Sequence, residues 1–501
     1  MNILIRADAS AQIGGGHVGR CIALAQEFSD RGCYVEFATR DYDDLGTSML
    51  KRADMPFQTL SSDPDWRSDA DATREAAGTF QWVVVDHYSL DARWQSELKN
   101  AGHKVLVIDD LANRPHDCDV LVDAGRAPDS IAYRDLVPGS CIVLLGPRYQ
   151  ILRREFLQDR RQVPGLMDGS ARKNLLVFFG SADGAGLTIP VLEALDASGV
   201  RKFLDVHVVV TDANRQRREI ERYEGVAVHT DVTDMAALLT KMDFAIGAAG
   251  VSMWERCRMG IPSLTVAVND NQKSGLEVAA ADGAVIPFSI ENARSPDALR
   301  DIITGFVSKL DKLDTVSVAA RQLVDGKGAR RIASVSGPAR LRVANQDDCE
   351  LIWTWANDPL VRRMSFHSDP IPYEQHTEWF DARLKNSMAI IQVAEVDGKP
   401  AGQVRLEFSE TEDGWVVDIS VAPEFRGRGL ALEIMQKAIS ALRRIHREAR
   451  VVAWVKKANE NSVRVFDAAG FRQSSENADA VRFVDDISGL SATRHQEAKN
   501  S

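Results

Sequence analysis

"IRADASAQIGGGHVGRCIALA", residues 5–25, carries the pattern that decides the fold. The apolar run Ile3-Leu4-Ile5 ends at Arg6-Ala7-Asp8. Three glycines follow, Gly14, Gly15 and Gly16, and His17 opens a segment with helical spacing. Cys21, Leu24, Ala25 and Phe28 recur at i, i+3, i+4 and i+7, and Gly32 supplies a stop. Strand, glycine turn and helix in that order predict the opening of a Rossmann-like α/β lobe. Glycine lets a backbone approach a ligand closely, and the imidazole beside it is a base, a hydrogen-bond donor or a bystander.

The same alternation continues outward. Further strands are expected at Asn2–Arg6, Tyr34–Ala38, Trp82–Val85, Lys104–Ile108, Val120–Val122 and Ile142–Leu145, as continuous apolar runs suited to a parallel sheet covered on both faces. A second α/β pattern starts near Lys173 with "NLLVFFGSADG", "DVHVVVT", "MDFAIGAAG", a helix in "VSMWERCRMG" and a strand in "IPSLTVAV". Residues 151–172 read as the connection between the lobes, and 334–339, in "ASVSGPA", as a linker. Beyond it, "AIIQVAEVDGKPAGQVRLEF" is a hairpin turning at Asp397-Gly398, "WVVDISVAP" a third strand, and "GLALEIMQKAISALRRIHR" a long amphipathic helix with Leu430, Ile434, Ala438, Ile439 and Leu442 on one face. The expected domains are 1–160, 161–333 and 340–501, with a polar, frayed tail in "SATRHQEAKNS".

Composition narrows the function classes. The 501 residues exceed one ordinary core, and a net charge of −11 disfavours a dedicated nucleic-acid binder. The six cysteines are scattered without metal-type spacing or a disulfide framework, which fits a reducing cytoplasm. The opening MNILIRADAS runs into a strand rather than a secretory leader, and no apolar stretch approaches the ~20 residues of a membrane span. No metal, nucleic-acid or membrane partner is expected.

In "VAPEFRGRGLALEIM" a strand runs into glycines and then a helix start, so successive N–H groups can converge on a pyrophosphate. Arg426, Gly429 and Ala431 resemble the R-x-x-G-x-A element of the GNAT acetyltransferases. "NENSVRVFDAAGF", with Asn459, Ser462 and Gly470-Phe471, resembles the family's second element. The resemblance spans about residues 338–490. It implies acetyl-CoA at a splayed strand ending near Val421, with Arg426, Gly427, Arg428, Gly429, Leu430 and Ala431 around the pyrophosphate and Asn459 and Ser462 nearby. Many family members carry a tyrosine acid where this chain has Phe466, which cannot donate a proton. Asp418 is a candidate base for the accepting amine, or a carboxylate facing solvent or paired with an arginine. His367 and His376 shape the acceptor side, or the second faces solvent.

Several segments of the first half resemble the PseG-type UDP-sugar hydrolases of pseudaminic acid biosynthesis: the opening stretch, "VVVDHYSLDARW", "IDDLANRPHDCDVLVDAG", "LLGPRYQILRREF" and "IGAAGVSMWERCRMGIPSLTVAVNDNQ". The resemblance covers about residues 1–330. It implies a two-lobed glycosyltransferase-B fold related to MurG, and cleavage between C1 of UDP-2,4-diacetamido-2,4,6-trideoxy-β-L-altropyranose and the pyrophosphate oxygen. UDP is expected on the second lobe, at Gly250, Ser252 and the helix start that follows, with Glu255 on the ribose and Gly180-Ser181 as a second phosphate loop. The sugar is expected against Gly14, Gly15, Gly16 and Arg20. Asp8, Asp86 and Asp109 follow apolar strands, and they bind hydroxyl and acetamido groups, orient His17, or cap loops. His17, at a helix start that disfavours its charged form, is the candidate base for water. Asn271, by resemblance, contacts the reacting centre, and Gln272 neighbours it. Gly19 and Asp123-Ala124-Gly125 depart from the family pattern at positions expected to line the sugar pocket.

Together these features point to a bifunctional enzyme that acetylates the 4-amine of UDP-4-amino-4,6-dideoxy-β-L-AltNAc and then removes UDP, with neighbouring pathway enzymes as candidate partners. The alternatives are a MurG-like glycosyltransferase fused to an acetyltransferase, an acetyltransferase acting on a protein amine, and a non-catalytic sugar-nucleotide sensor.

Overall fold

The short apolar runs of the first half become parallel strands with most side chains buried. The computed structural model describes residues 1–485 apart from 11, 62–64, 158–171, 181–182, 212–213, 231 and 310–312. The chain divides into two units, Met1–Ala329 and Arg330–Ser501.

The first unit holds two doubly wound lobes. In the first, β1 (Asn2–Ala7), β2 (Tyr34–Arg40), β3 (Phe57–Leu60), β4 (Trp82–Asp86), β5 (Lys104–Ile108), β6 (Val120–Asp123) and β7 (Ile142–Leu145) form one parallel sheet in the order β3-β2-β1-β4-β5-β6-β7. In the second, β8 (Lys173–Phe178), β9 (Leu204–Val210), β10 (Val226–Thr230), β11 (Phe244–Ala248), β12 (Ser263–Val266) and β13 (Ile286–Pro287) are parallel in the order β10-β9-β8-β11-β12-β13. The strand order reverses at β1/β4 and at β8/β11, and loops leaving the carboxyl ends of those strands frame a ligand crevice. Helix Gly16–Asp30 buries Cys21, Leu24, Ala25 and Phe28, the four positions its spacing singled out.

Strands β3, β10 and β13 have no counterpart in the sequence expectations. Each is a sheet edge, and the burial of β3 and β10 is only partial, so neither shows the fully covered pattern of the central strands. The interlobe connection lies largely outside the described residues. Gly125 lies against the other lobe. Ser274 Oγ donates to its carbonyl at 3.2 Å, and a Cβ at Gly125 would lie 3.8 Å from Gly275 Cα.

The second unit is one mixed sheet: β14 (Arg340–Val343), β15 (Ala389–Val396), β16 (Lys399–Ser409), β17 (Gly414–Val421), β18 (Val451–Lys456), β19 (Arg472–Glu476) and β20 (Ala480–Asp485), in the order β14-β15-β16-β17-β18-β20-β19. Asp397 and Gly398, at φ 51° and 72°, both adopt the left-handed conformation a two-residue hairpin requires. Helix Leu430–Ile445 buries the face expected of it.

The stretch 334–339 is not a linker. Ser334 and Ser336 are fully buried, the Ala339 N–H donates to Glu433 Oε1 at 2.6 Å, and Lys437 Nζ bonds the Gly337 and Ala339 carbonyls. Its small residues serve close packing against the long helix, where a Cβ at Gly337 would collide with the Glu433 carboxylate. The unit boundary falls earlier, at Ala329/Arg330. The polar tail lies outside the described residues. Among the described residues no helix is long and apolar enough to cross a membrane.

Candidate active sites

In the first lobe, β1 and β4 pair with Ala7 opposite Asp86, so the β1 loop and the end of β4 meet. Asp86 is almost fully buried. His17 Nδ1 lies 2.6 Å from its Oδ1, and Arg20 grips both oxygens, Nη2 to Oδ1 at 2.6 Å and Nε to Oδ2 at 2.5 Å. Burial alone would raise the Asp86 pKa. The Arg20 guanidinium and then His17 overcome that and hold it well below the ordinary carboxylate range. An ionised carboxylate only accepts, so His17 Nδ1 carries the hydrogen and Nε2 is the ring's remaining position. A carboxylate at Nδ1 fixes the tautomer and the orientation of the imidazole.

Tyr88 closes the arrangement. Its ring meets His17 edge-on at 4.7 Å, its hydroxyl donates to Asp110 Oδ2 at 3.2 Å, and it accepts from Asn271 Nδ2 of the second lobe at 3.0 Å. Asp110 also lies 3.5 Å from Arg20 Nη1. Burial first, and the neighbouring Asp86 and Asp109 charges, push its pKa up against the pull of Arg20. The structure thus brings His17, Arg20, Asp86 and Asn271 together and adds Tyr88 and Asp110. Both additions lie in quoted motifs, but "HYS" after Asp86 shows no periodicity, and Asp109 masked its neighbour.

The glycines have separate reasons. Gly14 turns at φ +83°, a Cβ at Gly15 would press on Met49 Sδ at 3.0 Å, and beside Gly16 there is open space. Gly19 faces the same methionine.

Asp8 and Asp109 are each held by neighbouring protein groups, and Asp8 Oδ2 also lies 3.5 Å from His87 Nε2. Both Asp8 oxygens are taken by Arg6, at 2.5 and 2.8 Å, and Oδ1 also accepts the Arg40 N–H at 2.8 Å. Asp109 is held by Tyr133, Arg114 and the N–H of Ala112, at 2.8, 2.8 and 2.9 Å, which is the loop-capping alternative. Arg20 holds both oxygens of Asp86 through Nε and Nη2, and its Nη1 lies 3.5 Å from Asp110.

In the second lobe, β11 ends in Gly247–Gly250 and helix Val251–Met259 begins. A Cβ at Gly247 would collide with the Phe178 carbonyl, so only glycine fits, and Gly250 faces Gln272 Nε2. Gln272 Oε1 accepts the Val268 N–H at 3.0 Å. Ser252 Oγ accepts from Arg256 Nη1 at 3.2 Å. Glu255 is buried and paired with Arg153 at 3.0 Å, so a ribose would share it with that cation. The expected second phosphate loop is described only in part. Gly180 turns at φ +100°, and Asp183 caps the next helix, accepting from the N–H groups of Leu187 and Thr188. Ser181 lies outside the described residues.

In the second unit, β17 and β18 pair only at Trp415–Val451 and Val416–Val452 and then part. Val417 to Val421 therefore present backbone to the gap, the splay expected for a thioester ligand. Gly427 and Gly429 sit at φ +78° and +74°, which aims the turn into helix Leu430–Ile445. Arg426 is a brace, its Nε donating to the Val421 carbonyl at 3.0 Å and its Nη2 pairing with Asp358 at 3.0 Å. Arg428 stacks on Phe425. Asn459 caps its own helix by accepting the Ser462 N–H at 3.2 Å. Asp418 is the solvent-facing alternative, its side chain 58 % exposed and 3.5 Å from Arg405. Phe466 is core, against Phe471 and Phe483. His376 does not face solvent. It is buried beside Trp379 and Phe380, and His367 is exposed.

These features define a two-lobed α/β unit with a histidine-centred cleft, joined to an acyltransferase-type unit. Residues 350–471 match the Acetyltransferase (GNAT) family, and the chain carries a GNAT acetyltransferase domain there. The N-terminal region resembles the UDP-2,4-diacetamido-2,4,6-trideoxy-β-L-altropyranose hydrolase of Campylobacter jejuni, 24 % identical over 58 % of this chain and 99 % of that protein. It also resembles the spore coat polysaccharide biosynthesis protein SpsG of Bacillus subtilis, 25 % identical over 67 % of this chain and 97 % of that one. An uncharacterized protein of Methanocaldococcus jannaschii is 22 % identical over 95 % of this chain and 98 % of its own length.

Proposed function

We propose that this chain performs two consecutive steps on one sugar nucleotide. The second unit transfers acetyl from acetyl-CoA to the 4-amine of UDP-4-amino-4,6-dideoxy-β-L-AltNAc. The first unit then hydrolyses UDP-2,4-diacetamido-2,4,6-trideoxy-β-L-altropyranose to free sugar and UDP. Support comes from a GNAT domain and a hydrolase-like region in one chain.

The observation that carries the hydrolytic reading is the buried Asp86 holding His17 Nδ1 at 2.6 Å while Asn271 reaches the same cluster from the other lobe. With Nδ1 committed, His17 Nε2 takes a proton from water as the water oxygen bonds C1. The C1–O bond breaks and its electron pair leaves on UDP. The backbone and helix start at 247–252 stabilise that charge. In the acetyl step the amine attacks the thioester carbon in the β17/β18 gap, the C–S bond breaks with its electron pair leaving on the CoA sulfur, and the proton the amine loses passes through solvent to that thiolate. Phe466 supplies no proton.

The test is a one-pot reaction of the full chain with acetyl-CoA and the UDP-4-amino sugar, followed by mass spectrometry. The expected products are CoA, UDP and the diacetamido hexose. Acetylation of neither the sugar nucleotide nor its product refutes the first step, and intact acetylated sugar nucleotide refutes the second.

A further inference from the structure

Helix Val251–Met259 contains a charge that the reaction above leaves unused. Arg256 is 1 % exposed. Its guanidinium donates to four oxygens, all of them neutral: Ala248 O at 3.0 Å, Ser263 Oγ at 3.1 Å, Ser252 Oγ at 3.2 Å and Thr265 Oγ1 at 3.5 Å. Among the described residues no carboxylate pairs with it. Burial lowers its pKa to about 10, against the opposing effects of Cys257 and then Glu255. A Cβ at Gly247 would lie 3.1 Å from Nη1, so the cation sits directly beneath the backbone of the 247–250 turn. Arg6, equally buried, is bracketed by Asp8 and Asp69. A buried cation satisfied in hydrogen bonds but not in charge is an arrangement that costs stability unless a counter-charge arrives.

We propose that Arg256 is a positioning residue whose counter-charge is the diphosphate of the nucleotide. It acts through Ser252. Because Ser252 Oγ accepts from the guanidinium, its own hydrogen points elsewhere and is free to donate to a phosphate oxygen. The guanidinium also adds positive potential under the turn, in surroundings that screen it little. The proposal rests on the reading of the first unit as a UDP site.

The experiment titrates the full chain and its Arg256→Met and Arg256→Gln variants with UDP and with uridine, and melts each protein without ligand. The wild type is expected to prefer UDP. Both variants are expected to lose at least about tenfold in UDP affinity, with uridine affinity unchanged and unliganded melting no lower than wild type. Equal losses for UDP and uridine, or none for UDP, overturn the proposal. So does failure of both variants to fold, since an uncompensated charge is expected to be dispensable for stability. A wild type that binds no UDP refutes the nucleotide reading itself, a result distinct from wild-type binding that the variants leave unchanged.

Discussion

Two glycine turns flank the switch points of the two lobes of the first unit, one after β1 and one after β11, and each leads into a helix. Around the first stand Asp86 and Asp110, with His17 and Arg20 bound to them. Around the second stand Ser252 and Arg256, and among the described residues no carboxylate pairs with that arginine. The first turn thus carries two carboxylates beside one guanidinium, and the second a guanidinium with no paired carboxylate among the described residues. Glycine content and a helix start do not by themselves make a phosphate loop; the side chains delivered by neighbouring strands decide what the turn holds.

If the two turns differ in this way, variants should separate chemistry from nucleotide binding. His17→Ala is expected to reduce kcat of hydrolysis by about 10³-fold while UDP affinity, measured by calorimetry, stays within experimental error. A parallel loss of UDP binding would merge the two turns into one site. Asp86→Asn should cost about 10²-fold or more in kcat, because an amide can hold the wrong imidazole tautomer. The same variant carries a pH signature. The folded-state pKa of Asp86 is depressed, so its stabilisation is present above the ordinary aspartate range and is lost as pH falls through and below it. The melting-temperature gap between wild type and Asp86→Asn is therefore expected to be widest near neutrality and to narrow in acid. A gap independent of pH would remove the ion pair from the explanation.

Ser252→Ala comes next in size, a several-fold loss of UDP affinity with kcat for bound substrate little changed. The smallest effect concerns the other unit. Phe466→Tyr restores the family's usual residue, but it places a hydroxyl among Phe471 and Phe483. It is expected to lower stability by about 1–3 kcal/mol and to leave the acetylation rate unimproved. A clear rate gain would show that the position does reach the leaving thiolate.

The sequence carried the layout well where burial is two-sided. The central strands of both lobes and the Asp397-Gly398 hairpin read directly, because fully covered strands and left-handed turns leave few residue choices. Edge strands such as β3 did not read, since one uncovered face dilutes the apolar signal. At the site, Asp8, Asp86 and Asp109 share one signature, an acid after an apolar strand, yet end differently. Arg6, Arg20 and Arg114 decide their fates, and the folded sheet sets which arginine reaches which acid. Asp110 and Tyr88 needed three dimensions, because what matters is that Asn271 arrives from the far lobe. Arg256 sat unnoticed inside a quoted motif, since the absence of a counter-charge cannot be seen along a chain.

The central claim is that the first unit delivers water to C1 while UDP departs from the second-lobe turn. Incubating the full chain with UDP-2,4-diacetamido-2,4,6-trideoxy-β-L-altropyranose in ¹⁸O-labelled water, with no other acceptor, tests it most directly. The account predicts one ¹⁸O in the released hexose and none in UDP. Label in the phosphates, or substrate left intact, would contradict it.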